Sequence, residues 1–153
     1  MREFSIISVS LITIFLTVRY IWMVIDKKIK PALAMWIMFT VAIGMSLITY
    51  LSEGNYGFFD NILNTVDLVY VLSVSIAIAI FGDKSSKLSL FDKGCLAVVL
   101  LIIVFWIFTQ NHFVTNFLIQ SILVIAYFPV IVRLLETKKN TESFLIWIGM
   151  LIA

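Results

Sequence analysis

The sequence has little of what most reactive sites are built from. Its 153 residues include one cysteine, Cys95, and one histidine, His112. A single cysteine excludes an intrachain disulfide and a cysteine-based metal cluster, and a single histidine removes most metal and acid–base schemes. No nucleophile–base pair, metal-ligand spacing or glycine-rich phosphate loop occurs, so we expect neither an enzyme nor a site for a metal or cofactor.

Charge is also scarce. Only 13% of the residues are charged and 62% are hydrophobic, with a mean hydropathy of +1.10. Soluble domains average about 25% charged and about 45–50% apolar residues. We therefore expect the lipid bilayer to be the solvent of this chain. The net charge of +2 and the lack of a basic stripe argue against a nucleic-acid partner.

Long hydrophobic runs predict five membrane-spanning helices, because a span needs about 20 mostly apolar residues. The five runs are Phe4–Ile25, Ala32–Leu51, Asn61–Phe81, Cys95–Thr109 and Phe113–Val132. The fourth is short and would need Leu88, Leu90 or Phe91 to help cover the bilayer core. A sixth run starts near Glu142 and meets Ala153 too soon to span, so we expect the sequence to be part of a longer protein.

The basic residues predict the orientation of the spans. Nine of the eleven lysines and arginines lie in the first, third and fifth connections, and none lies in the second or fourth. Cytoplasmic loops carry such an excess. The pattern predicts a multi-pass protein integral to the cytoplasmic (inner) membrane, with its N-terminus outside.

Two segments, 20–39 and 127–147, predict an internal repeat. Each has a tyrosine, a lysine pair and a Trp-Ile dipeptide; Tyr20 and Tyr127 are 107 residues apart, and Trp36 and Trp147 are 111 apart. Four spans separate the copies, and an even number preserves orientation, as in a parallel repeat. We expect an all-α integral membrane protein with a first three-helix repeat in 1–81, a linker helix with its loops in 82–111, and an incomplete second repeat in 112–153.

The residues that carry this repeat resemble the PQ-loop repeat family, which includes the SWEET and SemiSWEET sugar transporters. The resemblance lies in Tyr127-Phe128-Pro129, Glu142-Ser143 and Trp147, and in Lys30-Pro31 and Trp36 of the first copy. It implies a seven-helix fold and alternating-access transport of a small polar solute, a sugar, amino acid or other metabolite. It also implies that Pro129 is a hinge. The chain departs from the family pattern at Trp22, where the first copy lacks the proline, and at Val130, where the family has glutamine.

Polar residues within the spans form the candidate substrate site. Asp67 lies about 9 Å below the outer surface, and an ionisable group at that depth faces a cavity or a partner by default. We predict that it shares one polar layer with Asn64, Asn116, Gln120 and Ser46. Two interpretations stay open: the layer lines a pocket for a polar solute, or its members only hydrogen-bond neighbouring helices, at about 0.6 kcal/mol each.

Three further expectations concern the rest of the chain. The connection around Glu142 is expected to be a solvated turn in which Glu142 favours the positive end of the next helix. The tryptophans, among them Trp22, Trp36 and Trp106, are expected to form an interfacial belt. The alternative to a transporter is a non-transporting membrane scaffold or receptor-like subunit, and either could form a homo-oligomer.

Overall fold

The computed structural model describes residues 2–52, 57–83, 88–109, 112–138, 142–144 and 148. Within these ranges the chain forms helices and connections without a strand. The helices are α1 (Arg2–Ile25), α2 (Leu33–Ser52), α3 (Ile62–Phe81), α4 (Leu90–Thr109), α5 (His112–Ala126) and α6 (Phe128–Thr137).

Five helical stretches are long and apolar enough to cross a membrane, as the sequence predicted. The fourth is longer than its apolar run, because α4 begins at Leu90 and reaches 20 residues. The fifth, Phe117–Glu136, combines α5 and α6. The chain is therefore an all-helical, multi-pass membrane protein, while most of the predicted sixth span lies outside the described residues.

Side-chain caps explain why α3 and α4 begin where they do. The Asn61 side chain accepts a hydrogen bond from the backbone N–H of Asn64 at 3.3 Å. Ser89 and Asp92 form a capping box, in which each side chain accepts from the other's backbone N–H, at 3.1 and 2.8 Å. These bonds satisfy backbone donors that a helix leaves unpaired at its start.

Proline divides the fifth span into two helices. α5 ends at Ala126, α6 begins at Phe128, and buried Pro129 stands in the first turn of α6. A proline has no N–H to donate to the carbonyl four residues earlier, here that of Ile125. Just before the proline, the Tyr127 N–H bonds to the carbonyl of Val124, three residues earlier rather than four, at 3.2 Å. The chain therefore makes a tighter turn at this point. The break in the helical hydrogen bonds thus lies where the sequence placed the hinge.

Polar contacts gather the first and third connections at one end of the bundle, where Arg133, near the end of the fifth span, also pairs with Asp92 at the start of α4. Lys27 Nζ donates to the carbonyl of Phe81, and Lys30 pairs with Asp83 at 2.8 Å. We call this the basic end: α1, α3 and α6 end there, and α2 and α4 begin there. At the opposite end, where α2 ends and α3 begins, the Asn64 side chain donates to Ser46 Oγ at 3.0 Å.

The first and fifth spans consequently run in the same direction, which a parallel repeat requires. One local feature also recurs at the predicted spacing. Lys27 and Lys138, 111 residues apart, both have left-handed backbone conformations just after a helix, with φ of 57° and 53°. The predicted three-helix repeats and linker helix nevertheless stay a prediction, because the aligned tyrosines differ: Tyr20 is fully buried and Tyr127 is 42% exposed.

The helices pack around α2. In the first half of the chain α3 lies between α1 and α2, and α2 also packs against α5. α4 is peripheral: its buried residues are Asp92, Cys95 and Val99, all within its first ten. Gly44 of α2 faces Leu68 of α3, where an added Cβ would lie 3.7 Å from the Leu68 side chain. That distance is ordinary van der Waals contact, so the packing of α2 on α3 would also admit an alanine here.

Candidate functional site

Three of the helices, α1, α3 and α4, have their buried residues toward the basic end. On α3 the fully buried residues run from Tyr70 to Ile78, and the eight positions before Tyr70 include none. On α4 none follows Val99. On α1 the first buried side chain among those described is Thr13. The buried residues of α1, α3 and α4 therefore lie toward the basic end, whereas α2 and α5 also have buried residues near the opposite end, Leu47 and Thr115.

Asp67 lies on the inward face of α3, at the upper edge of this closed core. Residues three or four apart share one face of a helix. Asp67 therefore continues the stripe of Tyr70, Val71, Val74 and Ile78, all of which are buried. Asp67 itself is half-buried, because the core ends one turn below it. The carboxylate thus faces the interior of the bundle and not lipid.

Within the described part of the chain, no hydrogen bond or salt bridge involves the side chain of Asp67. Its neighbour one turn away, Asn64, is paired with Ser46 on α2. Ser46 and Asn64 are half-buried as well. We call these three residues the polar cluster. In this cluster the Asn64 amide and the Ser46 hydroxyl are hydrogen-bonded to each other. The Asp67 carboxylate lies one turn away and retains its full capacity to accept hydrogen bonds.

Of the other two predicted site residues, the structure describes the side chain of Gln120 only. Gln120 is exposed on α5, on the same face as Phe117 and Val124, which are 67% and 59% exposed. Asn116 lies on α5, and its side chain is outside the described part. Of the five predicted substrate-binding residues, only Asn64 and Ser46 are therefore joined by a bond that the structure describes.

A second polar site, which sequence reasoning missed, lies at the basic end. Glu142 is only 8% exposed and accepts a hydrogen bond from the Tyr20 hydroxyl at 2.5 Å. Trp36 Nε1–H donates to the same hydroxyl at 3.0 Å. Tyr20 and Trp36 are fully buried, with ring centroids 4.7 Å apart, and Tyr70 lies edge-on to Trp36 at 5.5 Å. We call Glu142, Tyr20 and Trp36 the inner network.

Two expectations are wrong at this point. The Glu142 side chain is buried against α1 rather than solvated. Trp36 belongs to the core rather than to an interfacial belt, although Trp22, at 52% exposure, fits that belt. The reason is the same in both cases: the Glu142 carboxylate and the Trp36 N–H are both hydrogen-bonded to the buried Tyr20 hydroxyl. Neither hydropathy nor position along a span reveals such a partner.

An ion pair lies beside the inner network. Arg133 of α6 and Asp92 of α4 are 3.1 Å apart, and their side chains are 13% and 2% exposed. The Asp92 carboxylate also accepts the Ser89 backbone N–H at 2.8 Å. Asp92 thus holds the residue just before α4 with one bond and α6 with the other, and so connects the start of α4 to the end of the fifth span.

Burial raises the pKa of Glu142 from its ordinary value of 4.5 to about 7. Burial is the largest cause because it disfavours the charged carboxylate. The Tyr20 hydroxyl, the Ala32 backbone N–H and the positive charge of Arg133 act in the opposite direction and offset part of the rise. Glu142 therefore changes protonation near neutral pH.

The sequence did contain a signal for the inner network. Tyr20 and Trp36 carry the predicted repeat, and Glu142 is one of the residues on which the family resemblance rests. Their shared role was hidden because 122 residues separate Tyr20 from Glu142. Only the contact of α1 with the segment that follows α6 brings them together.

The arrangement as a whole is an inward-facing carboxylate above a closed, hydrogen-bonded end. A carboxylate in this position has the chemistry to accept hydrogen bonds from a polar or cationic group. No protein-family model, curated protein or solved structure matches the chain.

Proposed function

We propose that the protein is a membrane transporter that carries a small polar solute, of the sugar, amino-acid or metabolite class, by alternating access. The observation that carries the proposal is Asp67: a half-buried, inward-facing carboxylate without a partner in the described part of the chain. An ionisable group at that depth is costly, and such groups mark substrate or ion pathways. Its role is to bind a hydroxyl, an amine or a proton.

The difference between the two ends supports alternating access. A transporter exposes a central site to one side at a time, with one helix bundle moving against another. Here the inner network and the Arg133–Asp92 pair lie at the basic end, while on α3 the buried residues end below Asp67. The resemblance to the PQ-loop family points the same way, and the lysine pattern predicts that the closed end is cytoplasmic.

Flux measurements test the site. The protein would be reconstituted in liposomes and assayed with a panel of ¹⁴C-labelled hexoses and amino acids. We expect uptake of at least one probe above that of protein-free liposomes, and Asp67→Asn to reduce it at least about tenfold, as expected when a hydrogen bond to a charged group is lost. Asp60→Asn is the matched control, because Asp60 is exposed and the amide retains an oxygen for the Gly57 N–H.

Uptake by none of the probes, or equal flux in Asp67→Asn and the unmodified protein, would count against this function. A second measurement does not depend on the substrate. In a Cys95→Ser background, Asp67→Cys should react with a charged methanethiosulfonate at least about tenfold faster than Val74→Cys, which lies two turns deeper in the closed core. Equal rates would mean that water does not reach Asp67.

The proline break gives an independent prediction. Pro129→Ala supplies the missing N–H for the Ile125 carbonyl, so we expect a straighter fifth span and a gain of about 1 kcal/mol in unfolding free energy. If bending at this point accompanies transport, flux should fall although stability rises. Thermal unfolding in detergent and uptake in liposomes measure the two effects. Undiminished flux would show that the break is only structural.

The alternative is a non-transporting scaffold or receptor-like subunit. The Asn64–Ser46 hydrogen bond favours it, because that bond is the ordinary structural use of polar groups between membrane helices. In that case Asp67→Cys would stay unreactive, and no labelled probe would enter the liposomes.

A further inference from the structure

The inner network joins parts of the chain that alternating access would have to separate. Tyr20 belongs to the first span, Trp36 to the second, and Glu142 follows the end of the fifth. The Tyr20–Glu142 bond spans 122 residues of sequence and closes the basic end around Glu142. Opening this end requires α1 and the segment after α6 to move apart, which breaks the bond and exposes Glu142 to water.

We propose that Glu142 is a proton-operated latch: its protonated carboxyl holds the basic end closed, and its ionisation releases that end. The latch rests on the proposed transport function, because it would control when the basic end of the same helix bundle opens. It follows from the geometry of the buried contact, since a carboxylate buried among aromatic rings is costly and regains its hydration only when the end opens.

The groups around Glu142 set the direction of the effect. Tyr20 from α1 and Tyr70 from α3 are neutral below pH 9, and Trp36 from α2 does not ionise. Arg133 from α6 is the neighbouring positive charge, and Asp92 from α4 holds it at 3.1 Å. Arg133 is therefore engaged by Asp92, and its charge only partly offsets the cost of ionising Glu142.

The pH dependence follows from the difference in the pKa of Glu142 between the closed and the open state. The closed state binds the Glu142 proton more tightly than an open, hydrated state, whose pKa would be near the ordinary value of 4.5. Closure is therefore favoured fully below about pH 4.5, weakens as pH rises toward 7, and changes no further above it. Between pH 5.5 and 8.5 the open-to-closed ratio should rise by about thirtyfold for one proton.

Distances between spin labels test the latch. With Cys95 replaced by serine, labels at Ile25→Cys and Leu135→Cys would report the separation of α1 and α6 at the basic end; both positions are exposed, at 45% and 71%. Pulsed dipolar spectroscopy of the full chain in lipid nanodiscs at pH 5.5 and 8.5 gives the populations. We expect a short distance at pH 5.5 and a growing longer one at pH 8.5.

Two variants separate the latch from a general pH effect. Glu142→Gln retains an oxygen for the Tyr20 hydroxyl but carries no charge, so the short distance should persist at both pH values. Tyr20→Phe removes the bond and should increase the open fraction about tenfold at pH 5.5. Tyr50→Phe, at the opposite end, is the matched control and should respond as the unmodified protein does. Size-exclusion profiles check that each variant is folded.

Three results would overturn the latch: distances that do not change with pH, an unaltered pH response in Glu142→Gln, or populations in Tyr20→Phe equal to those of the unmodified protein. Failure of the transport proposal looks different. A protein without flux whose distances respond to pH as described would retain the latch and lose the transporter. A protein that transports a probe but whose label distances do not change with pH would retain the transporter and lose the latch.

Discussion

Asp92→Ala is expected to lower the free energy of unfolding by about 3–5 kcal/mol, the cost of breaking a buried ion pair. Arg133, whose side chain is 13% exposed, would lose the Asp92 carboxylate 3.1 Å away, which is itself only 2% exposed. The Ser89 N–H would also lose its acceptor at the start of α4. Unfolding of the purified protein in detergent, followed by helical circular dichroism, measures the loss.

The matched control is Asp26→Ala. Asp26 forms an ion pair with Lys28 at 3.0 Å, but both side chains are well exposed, at 36% and 52%. Exposed pairs contribute about 0–1 kcal/mol, so this variant should be close to the unmodified protein. Equal destabilisation by the two variants would show that burial does not distinguish the pairs.

The double variant Asp92→Leu, Arg133→Met separates the pair from the charge that is left behind. Replacing a buried pair by apolar side chains of similar volume is often neutral. We therefore expect the double variant to recover most of the stability that Asp92→Ala loses. If the double variant were as unstable as Asp92→Ala, the Asp92–Arg133 ion pair and the Asp92–Ser89 capping bond would themselves be required for the packing of α4.

Trp36→Ala is expected to cost about 3 kcal/mol. The side chain is fully buried and contacts the rings of Tyr20, Phe39 and Tyr70, with centroids 4.7, 6.0 and 5.5 Å away. Truncating such a residue leaves a cavity, which costs about 3–5 kcal/mol in soluble cores. The lower end applies here, because lipid is as apolar as a protein core and the transfer part of the cost shrinks.

Trp22→Ala is the control for this prediction. Trp22 is 52% exposed, and its one described polar interaction is with the Lys28 ammonium 3.9 Å from the ring centre. That contact is worth about 0.5–1 kcal/mol at an exposed site. The same unfolding measurement should thus separate the two tryptophans by about 2 kcal/mol. Equal losses would contradict the assignment of Trp36 to the core.

The spans could be predicted from the sequence because their signal is local. Each is a run of about 20 apolar residues, and a bilayer admits such a run only as a helix with its backbone bonds made internally. The break at Pro129 was predictable for a similar reason, because proline lacks the N–H. The start of α4 was misplaced by five residues, since the Ser89–Asp92 cap extends the helix beyond its most apolar part.

The candidate site was only partly predictable. Depth along a span identified Asp67, and the structure adds that it lies on the buried face of α3. Depth could not say that Gln120 faces outward on α5, because residues at one depth point in every direction around their helices. The joining of Asn64 to Ser46 likewise depends on how α2 and α3 are rotated against each other.

Composition and the lengths of the apolar runs by themselves determined that this chain is a membrane protein, where the five spans of its described part lie, and that an acidic residue lies within one of them. Hydrophobicity acts on each segment separately, so it can be summed along the sequence. Tertiary structure alone decided that Tyr20, Trp36 and Glu142 share one buried site and that Arg133 pairs with Asp92. Hydrogen bonds and ion pairs are short-range and directional, so they exist only once distant parts of the chain are within about 3 Å of each other.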